Sequence, residues 1–401
     1  MLWSMIRMRR NVTLLAVCQA LMMSTNVLII ATTALVGLAL AEEKILATLP
    51  VSLQWIATML TAIPAAMLMR RVGRRAGLMI GAMAAIIGGT LCTVAIFYRH
   101  FELFCVGSAL VGAFNAFGQQ YRFAAADAAS VELRSRAISL VLAGGVVAAF
   151  AGPNLARWTV DLFEPVIYAG AYAANIVLYG LSFVILAFVT IPPSPGSSHP
   201  SGGAGFATII AQGRFLVAAA SAMIGYGVMN LVMTATPLAM AKHGFGFGET
   251  AIVIQWHVLA MFAPSFVTGH IIKRFGVMNV IMTGALLQLA CVLVNLYGQA
   301  EWNFIAALVL LGLGWNFLFV GATTLLTDNY SGPEKARVQG LNDFLVFGMV
   351  AVTALSSGVL HHAYGWALLN MAMIPFIIAA LACGLWLQRR TTSPQQARMP
   401  T

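Results

Sequence analysis

Charge is what this chain lacks most. Charged residues make up 8% of its 401 positions, and Asp and Glu together number 12, where soluble domains run near 25% charged. So sparse a set of acids and bases leaves few candidates for proton-transfer chemistry. Cysteine is scarce too. The five (Cys18, Cys92, Cys105, Cys291, Cys383) lie far apart in apolar runs, without metal-ligand spacing or a disulfide framework. No metal and no other cofactor is expected, and each thiol reads as apolar packing. Phosphate-cradling Walker loops, H-E-x-x-H and the nucleophile elbow are missing, which argues against ATP hydrolysis and against an enzyme. A channel's filter or rings of charge and the ~10-residue alternation of a membrane barrel are missing as well.

Apolar residues fill the space. They make up 60% of the chain, with a mean hydropathy of +0.88, and recur in runs of about 20, the length that crosses a hydrocarbon core as helix. Twelve spans are expected near residues 12–37, 49–69, 77–97, 103–124, 137–157, 166–190, 212–238, 250–271, 278–298, 303–326, 338–360 and 366–387. The expected class is an all-α membrane protein. Its first run is too long for a signal-peptide core and should stay as a helix. With the N-terminus in the cytoplasm, 18 of the 22 basic residues fall inside, and only Lys44, Arg99, Arg157 and Lys242 fall outside. This split places both termini in the cytoplasm. It also assigns the net charge of +10 to helix ends facing anionic lipid rather than to nucleic acid.

The chain nearly repeats itself at a separation of 201 residues. Gln54-Trp55 recurs as Gln255-Trp256, Asn115 as Asn316, Asp127 as Asp328 and Arg136 as Arg337. Two copies of one bundle are implied, 1–191 and 212–390, joined by a Pro-, Ser- and Gly-rich linker at 192–211 and followed by a tail at 391–401. A linker of that composition has too few apolar groups to fold alone. Asn115, Gln119 and Arg122 fall at i, i+4 and i+7, one stripe of a helix that lipid would not tolerate. The stripe should face the bundle interior, with Gln120 beside it. Asp343 is the acidic residue placed well inside a span, and its repeat counterpart is Leu142.

Twelve spans, a 6+6 repeat, cytoplasmic termini and a long middle loop resemble the plan of the major facilitator superfamily of secondary transporters. Its loop motif between spans two and three, Gly-x-x-x-Asp-Arg-x-Gly-Arg-Arg/Lys, is partly kept. Here it reads Ala66, Met67, Leu68, Met69, Arg70, Arg71, Val72, Gly73, Arg74, Arg75, and in the second half Gly269 through Lys273, Arg274, Phe275, Gly276. Arg70 and Lys273 stand where the family has Asp. A cation there cannot latch onto the positive end of a helix dipole as the family's Asp does, so another anion must serve.

The resemblance implies two six-helix halves rocking about a central site. Its cavity would be lined by spans one, four, seven and ten, which adds Asn26, Asn230 and Asn316 to the candidates. Gln54-Trp55 and Gln255-Trp256 are candidates for substrate or for helix packing. His257, whose repeat partner is Ile56, is a candidate ligand of substrate or proton, or a packing group. Arg122 is an anion contact or a snorkelling cation. Asp343 is a fixed clasp for Arg70, Arg71 or Arg122, a titrating coupling group, or a solvated helix-end carboxylate. Arg74, Asp127 with Arg136, and Asp328 with Arg337 read as scaffolding of the cytoplasmic gate. Gly144-Gly145 with Gly152-Pro153 resembles the fifth span of many exporters in the superfamily, although the direction of transport stays open. The expected activity is alternating-access transport of a small amphipathic or aromatic solute by a monomer in a bacterial inner membrane. Proton coupling and facilitated uniport are both admitted, and a transporter-derived sensor or membrane-embedded enzyme is the alternative.

Overall fold

Lipid leaves no water to satisfy backbone N–H and C=O groups, so spanning segments must bond internally as helix. The computed structural model describes residues 2–128, 140–141, 143–190, 210–329 and 333–392, and shows this plan throughout. In chain order the helices are α1 Leu2–Leu40, α2 Leu49–Val72, α3 Arg74–Tyr98, α4 Phe101–Gly118, α5 Tyr121–Ala128, α6 Gly144–Thr159 and α7 Ala169–Ala187. The second half follows with α8 Gly213–Lys242, α9 Phe247–Phe262, α10 Ser265–Phe275, α11 Val277–Tyr297, α12 Glu301–Asn329, α13 Pro333–Met371 and α14 Ile374–Thr392. These make twelve transmembrane helices in two six-helix halves.

Among the described residues the fourth, eighth and twelfth spans are interrupted. The fourth (α4 with α5) breaks at Gln119-Gln120, where Gln120 N–H bonds the Phe117 carbonyl three residues back, at 3.0 Å, a 3₁₀-type tightening. The eighth (α9 with α10) bends by 45° at Ala263-Pro264, because Pro264 has no N–H to continue the ladder. Its symmetry-related neighbour Pro64 leaves α2 continuous. Gly365, at φ 78°, interrupts α13 and separates the eleventh span from the twelfth, which resumes as α14 after a second break at Ala372-Met373. The loop motif has a geometric counterpart in both halves. Gly73 (φ 88°, ψ 152°) and Gly276 (φ 85°, ψ 148°) each end one helix and start the next, in a conformation essentially reserved for glycine.

Within each half, small residues let backbones touch. A Cβ on Gly112 would lie 2.1 Å from the Gln54 carbonyl oxygen, and one on Gly312 would lie 2.6 Å from that of His257. These are matched crossings of α4 on α2 and of α12 on α9, the close approach by which membrane helices associate.

The halves meet at the end of the bundle away from the termini. Thr48 donates to the Leu355 carbonyl at 3.2 Å and accepts from Gly358 N–H at 3.2 Å. Asn154 donates to Gln255 at 3.1 Å, and Tyr168 packs edge-on to Phe247. Toward the termini the same faces part. On α2 the i, i+4 row Trp55, Met59, Ile63, Met67 starts against α13, where Trp55 stacks on Phe347 and Met59 approaches Gly348. The row ends with Ile63 67% and Met67 51% exposed. Facing it, Asp343 and Phe344 of α13 are exposed as well. Among the described residues the bundle is a wedge, closed at the far end and open toward the termini.

Candidate functional site

Near the apex of the wedge a cleft lies among four helices. Its walls are Asn26, Ile29 and Ile30 of α1, Val51, Gln54 and Trp55 of α2, Asn115 of α4, and Asn230 and Thr234 of α8. It encloses about 420 Å³ of non-protein space, part of it open. The helical stripes 26/29/30, 51/54/55 and 230/234 explain how one face of each helix reaches it. Both halves contribute, and none of the lining residues carries a charge.

The polar atoms in the cleft are poised rather than satisfied. The Oδ1 atoms of Asn26, Asn115 and Asn230 are buried and have no hydrogen-bond partner, a costly condition in a protein interior that marks a place for a ligand or water. Asn230 shows why its oxygen is the free end. Its amide nitrogen is spent on the Val350 carbonyl at 3.1 Å and on Thr353 Oγ1 at 3.3 Å, so what remains can only accept.

Aromatic rings back the cleft. Trp55 stacks on Phe347 with centroids 6.0 Å apart and planes 15° apart, and meets Tyr226 edge-on at 6.2 Å. Tyr226 in turn packs against Trp315 and Phe319, which stack on each other at 5.1 Å. Trp315 Nε1 is buried without an acceptor. The cluster ties α2 of the first half to α8, α12 and α13 of the second, in the offset and edge-to-face geometries that aromatic quadrupoles favour.

Three sequence candidates, Asn26, Asn115 and Asn230, are thus brought together. Gln119 and Gln120 sit at the break in the fourth span, half-buried, with Arg122 the second residue of α5. Arg122 and Asp343 lie across the wedge, close enough for their charges to interact. Of the cations considered for Asp343 whose side chains are described, Arg122 acts on it with its charge. Asp343 is exposed on the open side of the wedge rather than enclosed in the bundle.

The remaining candidates lie outside the cleft. Gln255 is taken up by Asn154 of α6, and Trp256 is 47% exposed on the outer surface. His257 is fully buried between α9 and α12, with Nδ1 2.8 Å from the Leu308 carbonyl. Asn316 is spent on the break in the eighth span. It donates to the Met261 carbonyl at 2.7 Å and Ser265 Oγ at 2.6 Å, and accepts from Thr268 Oγ1 at 2.7 Å. Arg71 is exposed and Arg74 half-buried at the turn after α2. Arg136 and the side chains of Arg70, Asp127, Asp328 and Arg337 lie outside the described residues.

Ile29, Ile30, Val51 and Thr234 are the lining residues the sequence candidates omit. Gln54-Trp55 carried a signal in its repetition, but the copy on α2, not the one on α9, faces the cleft. Thr234 carried a weaker one, as the residue one turn beyond Asn230.

A helical membrane bundle of two repeated halves, wedged apart around a cleft with an uncharged lining, has the architecture of a solute transporter. The profile of the Major Facilitator Superfamily matches residues 12–297 and 217–400, and the chain belongs to that family. It is 39% identical over 376 residues, covering 93% of this chain and 94% of the other, to the riboflavin transporter RfnT of Brucella anthropi. Among solved structures it is similar to the nucleoside transporter NupG (TM-score 0.74, 12% identity, 94% of this chain and 99% of that one). It is also similar to a bacterial homologue of the human lysosomal transporter Spinster (TM-score 0.73, 15% identity, 94% and 96%).

Proposed function

We propose that the protein carries riboflavin, or a flavin closely like it, across a bacterial inner membrane by alternating access. The observation that carries this reading is the cleft itself, where unpartnered amide oxygens stand beside an indole wall and no charged side chain lines the space. Such a lining suits a neutral solute with a flat heteroaromatic part and hydrogen-bonding groups, and riboflavin is one. The extent of likeness to RfnT supports the same substrate.

In this reading residues 1–191 and 212–390 are the rocking halves, 192–211 the linker and 391–401 a tail. The end bearing the termini is cytoplasmic, so the wedge is the inward-open state. The transporter acts as a monomer. Growth of a riboflavin-requiring bacterium on low riboflavin tests the substrate. Expression of this chain should restore growth and accumulate labelled riboflavin, and failure of both would overturn the assignment.

The driving force in this proposal is the proton gradient, with Asp343 and Arg122 forming the charged part of the cytoplasmic gate. Support comes from their positions across the wedge and from their having no counterparts in the repeat, where Leu142 and Thr323 stand instead. Riboflavin uptake into proteoliposomes should fall when the pH gradient is collapsed. Unchanged accumulation would replace proton drive with facilitated uniport.

A further inference from the structure

Two features of the cleft differ in what they can hold, and they occupy different walls. Trp55 has Phe347 on one face and Tyr226 at its edge, which leaves the rest of the indole for the cleft. A flat ring lying there would extend an existing stack that already joins the two halves. The unpartnered oxygens of Asn26, Asn115 and Asn230 belong to three other helices, α1, α4 and α8. Each needs a donor, and Asn230 can take nothing else because its nitrogen is already committed. A heteroaromatic ring offers mainly acceptors and at most one or two N–H groups. A chain of hydroxyls offers several donors in series.

We infer that the cleft orients its solute, holding a fused heteroaromatic ring against Trp55 and a hydroxyl-bearing chain on the amides of Asn26, Asn115 and Asn230. The inference rests on the flavin reading above and assigns the two ends of the molecule to separate walls. The polyol therefore carries specificity, because buried acceptors left without donors reject an analogue that lacks hydroxyls more strongly than an apolar pocket rejects a missing methylene. A phosphate at the end of the chain would bring charge to a lining that has no cation, and would be refused.

The test measures binding to the purified full-length protein by quenching of flavin fluorescence, with riboflavin, lumiflavin (the same ring with a methyl group in place of the chain) and flavin mononucleotide. Riboflavin should bind at least tenfold more tightly than either of the others. Asn115→Ala should weaken riboflavin by about tenfold, the scale of one lost buried hydrogen bond, and leave lumiflavin unchanged. Trp55→Leu should weaken both flavins alike. Lumiflavin binding as tightly as riboflavin in the wild-type protein would overturn the orientation, and that comparison needs no variant. Equal weakening of both flavins by Asn115→Ala, in a protein that melts at the wild-type temperature without ligand, would overturn it too. Failure of every flavin to bind would instead sink the substrate reading on which it rests.

Discussion

Gly358 and Thr48 should set the balance between the two ends of the transporter. Thr48 Oγ1 sits between the Leu355 carbonyl and the Gly358 N–H, at 3.2 Å from each, and a Cβ on Gly358 would fall 2.4 Å from that oxygen. Thr48→Val keeps the shape and removes both hydrogen bonds. The α13 groups concerned lie within a helix, so the hydroxyl is a supplementary partner and the low end of the membrane range applies, ~0.6 kcal/mol per bond. The pair then contributes about 1 kcal/mol, which shifts the open-to-closed ratio of the far end by roughly fivefold. Gly358→Ala goes further, because α2 must move off α13 to make room, and the stack of Trp55 on Phe347 is strained with it. Distances between spin labels at the far ends of α2 and α13, measured by pulsed electron resonance, report the ratio. Thr48→Val should add a longer-distance population, and Gly358→Ala should make it dominant. A distance distribution unchanged in Gly358→Ala would show that this contact does not hold the far end shut.

Three further substitutions separate machinery from site. Asn316→Leu removes three hydrogen bonds at the bend of the eighth span, about 2–4 kcal/mol together. It should lower the melting temperature while leaving riboflavin affinity within about twofold, and a large loss of affinity in a stable protein would place Asn316 in the site after all. Asp343→Asn should retain riboflavin binding yet slow transport by an order of magnitude or more, read as counterflow in proteoliposomes. Wild-type rates would remove Asp343 from the gate. Gly112→Val drives a side chain into the Gln54 backbone, where even a Cβ would meet the carbonyl oxygen at 2.1 Å. Overpacking of this kind costs about 1–3 kcal/mol, and thermal unfolding in detergent should show it, since an unchanged midpoint would mean that α2 and α4 are not in contact.

The architecture was legible because lipid permits so few alternatives. Runs of apolar residues had to be helices, and the 201-residue repeat divided them six and six. The cleft was legible where a buried amide keeps an oxygen without a partner, as for Asn26, Asn115 and Asn230. It was not legible where a distant feature decided the matter. Asn115 and Asn316 are repeat partners of the same type in equivalent helices, yet one keeps a free oxygen and the other is consumed. The cause is 52 residues away from Asn316, at Pro264, which breaks the eighth span where Pro64 leaves the second unbroken. Gln54-Trp55 and Gln255-Trp256 diverge for a related reason. Asn154 reaches across from α6 to occupy Gln255, and the residue at the same offset, Leu355, has no amide to offer Gln54.

This divergence bears on how a duplicated bundle can bind an unsymmetrical solute. Two identical halves would present each group twice, and a solute with one flat end and one hydroxylated end would use half of each set. Here most of the surplus copies are built into the frame. Asn316 mends a bend and Gln255 joins the halves. Their partners on the other side stay available, and Trp55 reaches the aromatic cluster that Trp256, facing outward, does not. The stack of Trp55 on Phe347 then has two uses at once, because it closes the apex between α2 and α13 and forms the wall on which a ring can lie. A solute that binds there touches the contact that must open for the far end to part, so occupancy and gating meet at a single pair of side chains. Substitutions at Trp55 should therefore alter affinity and transport rate together, whereas those at Thr48 or Gly358, which lie outside the cleft, should alter rate with little effect on affinity.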